Sequence, residues 1–140
     1  MFDFDLKDFP FITYDKIRYA DTDRQGHVNN AVFSTYLETG RVEFLYDKDF
    51  PFAENKSSFV IASLNINFKK EILWPGKVDI GTAIVRIGNS SIKLYQKLFQ
   101  NHQCVADAET IIVQVDNITT SSMTLDEEVR KKLQQYVISQ

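Results

Sequence analysis

The sequence predicts an α+β architecture, a five-stranded antiparallel sheet wrapped around one long central helix, and three observations predict it. Apolar residues recur at helical spacing over residues 33–44. A period of two sets in after Lys56 and persists, through turn segments, to about Val115. The connections between the later strands have hairpin character, which favours antiparallel pairing over parallel crossovers. The 140 residues suit a single domain, residues 1–140.

Each element follows from local chemistry. Phe11 to Tyr19 contains β-formers and reads as a first strand, ended by the polar run from Asp21. Phe33, Tyr36, Leu37, Gly40 and Phe44 then form the buried stripe of a helix running from about residue 30 to 47, which KDFPF stops ahead of Pro51. Asn29 or Asn30 can cap its start, because a short side-chain oxygen reaches the free N–H groups of the first turn. Gly40 costs about 1 kcal/mol of helix propensity. Its place in the stripe implies that the helix backbone lies close to a sheet.

Val60, Ala62, Leu64, Ile66 and Phe68 alternate with Ser63, Asn65, Asn67 and Lys69, which predicts a long strand with a partly polar second face. Trp74-Pro75-Gly76 turns the chain. Val78 to Arg86, Ile92 to Gln100 and Cys104 to Val115 are three further strands, and IGNSS and QNHQ have hairpin character. The unbroken apolar run Ile111 to Val113 places the last strand inside the sheet. Leu125, Val129, Leu133 and Tyr136 mark a terminal helix, with acids at its front and bases further on. One helix covers only part of such a sheet, so an apolar surface is left for a second copy, and a homodimer is expected.

Composition narrows the function. A formal net charge of −3 gives no support for a general nucleic-acid binder. Cys104 is the only cysteine, so no intrachain disulfide or cysteine zinc cluster forms. The acidic start MFDFDLKDF lacks a basic signal region and no apolar run reaches membrane-spanning length, so a cytoplasmic protein without a membrane partner is expected. Aromatic residues make up 13% of the chain, enough to fill a core and to close an interface or an acyl-sized pocket.

Residues 21–30, DTDRQGHVNN, gather two carboxylates, a histidine and two asparagines just ahead of the long helix. Their spacing approaches an EF-hand loop, but Val32 stands where the bidentate Glu belongs and a strand precedes the loop. A transition-metal site from Asp21, Asp23 and His27 lacks a second histidine at ligand spacing. Residue types alone leave two readings open. One is a turn with caps, which Asp, Asn and Gly26 serve without chemistry. The other is a carboxylate, Asp23, beside the free N–H groups and electropositive end of a helix, a base or nucleophile next to oxyanion donors. Thioester hydrolysis suits that second set, since a thiol with pKa near ~8.5 leaves without much acid assistance. No Ser-His or Cys-His arrangement is evident.

The run RYADTDRQGHVNNAVFSTYLETGR closely resembles the first strand and central helix of hotdog-fold acyl-CoA thioesterases, in the 4-hydroxybenzoyl-CoA thioesterase-like branch. The likeness continues through INFKKEILWPGKVDIGTAIVRIGNSSIKLYQKLFQ and covers about residues 12–135. It implies a curved sheet wrapped on the helix, a dimer or tetramer with active sites between subunits, and hydrolysis of an acyl-CoA to free acid and CoA. The family's usual catalytic aspartate falls on Asp23, with Asp21 as a hydrogen-bonding neighbour. His27 and Asn29 shape the corner, N–H groups around Asn29, Asn30 and Ala31 polarise the carbonyl, and Tyr36 and Glu38 match helix positions that often face the site. CoA phosphates call for basic groups, for which Lys69, Lys70, Arg86 and Lys93 are candidates, with Ser90 and Ser91 as donors in a loop between later strands. No separate cofactor and no metal are implied, since CoA is part of the substrate.

Two departures qualify the likeness. Arg24-Gln25 replaces a Pro-Ala common in 4-hydroxybenzoyl-CoA enzymes, and HVNN stands where those carry bulky residues, which favours a fatty or other acyl thioester. Residues 31–47 contain no histidine, against the dehydratases of the same fold. An acyl carrier protein thioesterase, or a non-catalytic protein that binds acyl-CoA or acyl carrier protein, is the alternative. Asp23 argues against the non-catalytic form.

Overall fold

The computed structural model describes residues 2–24, 26–47 and 56–138. Five strands, β1 (Phe11–Ile17), β2 (Ser57–Phe68), β3 (Gly76–Ile87), β4 (Ser91–Gln100) and β5 (Gln103–Asp116), form one antiparallel sheet in the order β1-β3-β4-β5-β2. Helix α1 (Val32–Leu45) lies on one face, chiefly against β1 and β3, and α2 (Glu127–Gln134) closes the chain. This is the hotdog arrangement that the resemblance implies.

The apolar stripe is buried as its spacing requires: Phe33, Tyr36, Leu37, Gly40 and Phe44 all face the sheet. A Cβ on Gly40 would stand 2.6 Å from Ile80 Cγ2 and 2.7 Å from Gln96 Nε2, so only hydrogen permits this approach. Gln96 is held there, donating to Leu37 O at 3.1 Å and to Thr82 Oγ1 at 3.0 Å.

Boundaries moved where local hydrogen bonds compete with the regular ladder. β1 ends at Ile17, because Arg18 N–H donates to Asp21 Oδ2 and Asp21 N–H to Arg18 O, winding Tyr19–Asp21 into a 3-10 turn. α1 begins at Val32, two residues late, after a turn in which Val32 N–H and Phe33 N–H donate to Asn29 O and Asn30 O. KDFPF lies outside the described residues.

β2 departs from simple alternation. Its register against β5 slips between Ile61 and Ser63, so Ile61 faces Ile112 on the same side of the sheet as Leu64, which faces Thr110. A bulge at Ala62 absorbs the extra residue and turns Val60 to the other face. β5 is internal, as its apolar run implies, and β2 is an edge. Asn101 and His102 form a two-residue hairpin with φ of 51° and 67°, the conformation that matches strand twist.

The aromatic surplus has a use that periodicity did not reveal. Phe2, Phe4 and Phe9 fold back over the sheet face away from α1 and meet the Tyr95 and Phe99 rings, with Phe9 seated on Gly81. At the other end α2 buries Leu133 and Val129 behind its Asp126 cap, and Val137 then pairs with Ile84 along β3.

Candidate active site

The polar run becomes a tight loop between β1 and α1. Thr22 bridges to Val28, Asp23 N–H donates to His27 O at 2.9 Å, and His27 N–H donates to Arg24 O at 3.0 Å. Gly26, at φ 77°, accepts from Trp74 N–H, and Val28 N–H donates to Ile72 O, so the loop is stitched to the segment that follows β2. Gln25 lies outside the described residues. Nearby backbone fixes the loop.

The two carboxylates are treated differently. Asp21 Oδ2 accepts from Arg18 N–H at 3.0 Å and from the Tyr36 hydroxyl at 2.8 Å. Tyr36 is fully buried; burial first, then the Asp21 hydrogen bond, hold its phenol far above the ordinary range. Asp23 is exposed, and Arg24 N–H is its one hydrogen-bond donor among the described residues. Asp21 is structural in its contacts, and Asp23 is presented to solvent.

At the helix start, Asn29 Oδ1 accepts from Ala31 N–H at 2.9 Å and Asn29 N–H donates to Asp21 O at 2.9 Å. The Asn30 N–H has no acceptor among the described residues. Of the three N–H groups expected to polarise a carbonyl, two are therefore engaged inside the protein and one is available. His27 Nδ1 lies 2.8 Å from Glu71 Oε2, a partner that spacing gave no means of finding. Among the described residues no group of three His, Cys, Asp or Glu side chains is placed to hold a metal, and no helix is long and apolar enough to cross a membrane.

Exposed apolar side chains line the space between α1 and β2. β2 runs antiparallel to α1, with the Phe33 and Phe68 rings 5.1 Å apart at the helix start and Phe59 N–H donating to the Tyr46 hydroxyl beyond the helix end. Between them Phe68 is 51% exposed, Leu64 37%, Ile61 48% and Val42 46%, an open apolar channel. Glu38 is exposed along this channel, about 12 Å from Asn30 along the helix axis. Arg41 is buried at its wall. Sequence reasoning missed Arg41, although an arginine four residues after Leu37 and four before Leu45 falls on the apolar face.

The expected phosphate-binding groups fall into two sets. Lys69 and Lys70 stand at the end of β2 nearest the loop, where Lys69 Nζ lies 3.2 Å from Asp107 and Lys70 Nζ donates to Gln103. Arg86, Ser90, Ser91 and Lys93 belong to the β3–β4 hairpin, and Lys93 pairs with Glu109. Lys69 is tied to Val105 and Ser91 to Val113, so the sets are about 25 Å apart along β5. Only Lys69 and Lys70 share an end with Asp23.

Comparison with known proteins bears on the family and the fold. The chain is 31% identical over 126 residues to the long-chain acyl-CoA thioesterase FadM of Escherichia coli strain K12, covering 87% of this chain and 96% of that one. A predicted thioesterase from Bacillus stearothermophilus superposes with a TM-score of 0.82 at 26% identity, over 93% of this chain and 98% of that one. A thioesterase from Thermus thermophilus, complexed with coenzyme A and Zn, gives 0.77 at 25% identity, over 90% and 92%. Residues 17–133 match the Thioesterase-like superfamily, and the chain belongs to that family.

Proposed function

We propose that this chain hydrolyses acyl-CoA thioesters to free acid and CoA, with Asp23 as the catalytic carboxylate. Family membership supports hydrolase activity of the thioesterase type in general. The observation that carries the finer reading is the contrast between Asp21, which accepts from Tyr36 and Arg18, and Asp23, exposed in the loop that leads into α1.

With the thioester carbonyl at the helix start, Asn30 N–H donates to the developing oxyanion. Asp23 takes a proton from the water that attacks the carbonyl carbon, or attacks that carbon itself to form a mixed anhydride that water then hydrolyses to the free acid and the restored carboxylate. The carbon–sulfur bond breaks, and CoA leaves as a thiolate that takes up a proton. His27, steered by Glu71, and Asn29, which caps the turn, hold the corner's shape. Lys69 and Lys70 receive the CoA phosphates.

The channel follows the 14 residues of α1, about 21 Å, a length suited to a long acyl chain. FadM, named for long-chain acyl-CoA, is the relative that supports this choice. The free edge of β2 and its exposed apolar residues support a homodimer in which a second copy roofs the channel.

Thiol release from acyl-CoAs of graded length is the test. Turnover should rise with chain length in the wild type and collapse in Asp23→Asn. Near-normal turnover by Asp23→Asn would return the loop to a turn-and-cap role.

A further inference from the structure

Arg41 is an anomaly in the wall of the channel. Only 5% of it is exposed, and it lies on the helix face that buries Leu37 and Leu45. Its Nη1 is wholly buried without an acceptor, and among the described residues the guanidinium makes no hydrogen bond or ion pair. Glu38, one turn earlier, influences it electrostatically but is exposed and does not come within 4 Å. Burial accordingly pulls the guanidinium below its ordinary range, with Glu38 opposing in part. A buried cation without an anion is costly, and proteins seldom keep one unless something else neutralises it.

The surroundings say what that something is. Arg41 lines a cavity of about 90 Å³ with Val42, Tyr46, Phe59 and Ile61, beside the exposed apolar residues of β2. Thr110 Oγ1, two residues from Ile112 on the same face of β5, is also buried without a partner. From Asn30 to Arg41 is about 16 Å along the helix, the reach of an extended chain of about a dozen carbons. Only an anion cancels the charge, and a carboxylate matches the planar fork of a guanidinium.

We propose that Arg41 is a specificity residue that binds a carboxylate at the distal end of the acyl group, so that ω-carboxyacyl thioesters are the preferred substrates. This rests on the acyl-CoA hydrolase reading and names the substrate class of that same site.

The test compares dodecanoyl-CoA with the mono-CoA thioester of dodecanedioic acid, on wild type and Arg41→Met. Wild type should favour the diacid thioester by roughly tenfold or more in kcat/KM, the scale of a buried charge pair. Arg41→Met should favour the plain chain. Equal rates in the wild type, or a preference for dodecanoyl-CoA, overturn the proposal and leave the hydrolase reading standing. If neither thioester is cleaved, the hydrolase reading fails, and calorimetric binding of free dodecanedioic against dodecanoic acid decides the subsite on its own. Tighter diacid binding that Arg41→Met abolishes supports it, and equal binding overturns it. An Arg41→Met protein that sediments as a smaller species with unchanged preference shows a second copy's carboxylate on the guanidinium, and also overturns it. If Arg41→Met does not fold, Arg41→Lys keeps the charge without the fork and should give an intermediate preference; an unchanged one counts against the proposal.

Discussion

The Tyr36 hydroxyl donates to Asp21 Oδ2 at 2.8 Å, tying the second turn of α1 to the loop that carries Asp23. The bond spans 15 positions of sequence and is part-buried, so it locks the loop's approach to the helix start. Two carboxylates that look equivalent in DTD are separated by it into one held by the fold and one exposed to solvent.

That separation is measurable. Asp21→Asn and Tyr36→Phe should each cost about 1–3 kcal/mol of stability, the range for losing a hydrogen bond to a charged group, and leave kcat within about tenfold of wild type. Asp23→Asn should do the reverse, with stability changed by about 0.5 kcal/mol or less and kcat lowered by roughly 10²–10⁴-fold. Urea melts and acyl-CoA turnover on the three variants check both halves.

The buried phenols make stability fall in alkali. Burial pushes Tyr95 up to about 12, and burial with Asp21 pushes Tyr36 higher still. Unfolded tyrosines lose their protons near ~10. Above that pH the unfolded chain binds fewer protons than the folded one, so the contribution is complete below 10 and is lost as pH rises through about 12. Tyr95→Phe should flatten the decline of the urea midpoint above pH ~10, and an unchanged slope would count against its burial.

Gly40→Ala sets propensity against packing. Alanine gains about 1 kcal/mol in an open helix, yet its methyl would meet Ile80 and the hydrogen-bonded end of Gln96. Net destabilisation of about 1–3 kcal/mol is expected. A raised melting temperature would contradict the close approach.

Phosphate binding should be confined to one end of the sheet. Lys69→Glu with Lys70→Glu should raise KM for acyl-CoA, more so at low salt, since exposed charges act through a screened field. Arg86→Glu and Lys93→Glu, at the other end, should leave KM unchanged. Equal effects from both pairs would mean that the phosphates are not held beside Asp23 of the same protomer.

Light scattering on Ile61→Glu tests the assembly. Ile61 is 48% exposed on the edge strand β2, and a charge there would face the second copy. Wild type should be a dimer and the variant a monomer that keeps its melting cooperativity. A dimeric variant places the interface elsewhere.

Periodicity determined which elements form, and only the fold set β2 beside β5 and β1 beside β3. The stripe Phe33 to Phe44 and the alternations of β2 to β5 repeat over enough residues for burial of one face to dominate every local preference, and Gly40 announced the close helix–sheet contact. The loop's residue types, with their likeness to a known family, singled out Asp23. Short-range competition was harder to read. The 3-10 turn at Tyr19–Asp21 and the Asn29 bond to Ala31 each shift a boundary by about two residues, because side chains there compete with the backbone ladder.

What the tertiary structure decided is everything that depends on residues far apart in the chain. Tyr36 meets Asp21, Glu71 meets His27, Lys69 meets Asp107, and the bulge at Ala62 turns Ile61 into the channel. Arg41 is the sharpest case. Its sequence neighbours allow a solvated arginine, and only the packing of α1 beside β2 buries the guanidinium and leaves it without an anion among the described residues. Burial and hydrogen-bond partnership are properties of the space around an atom, and a one-dimensional pattern constrains that space only where one face repeats.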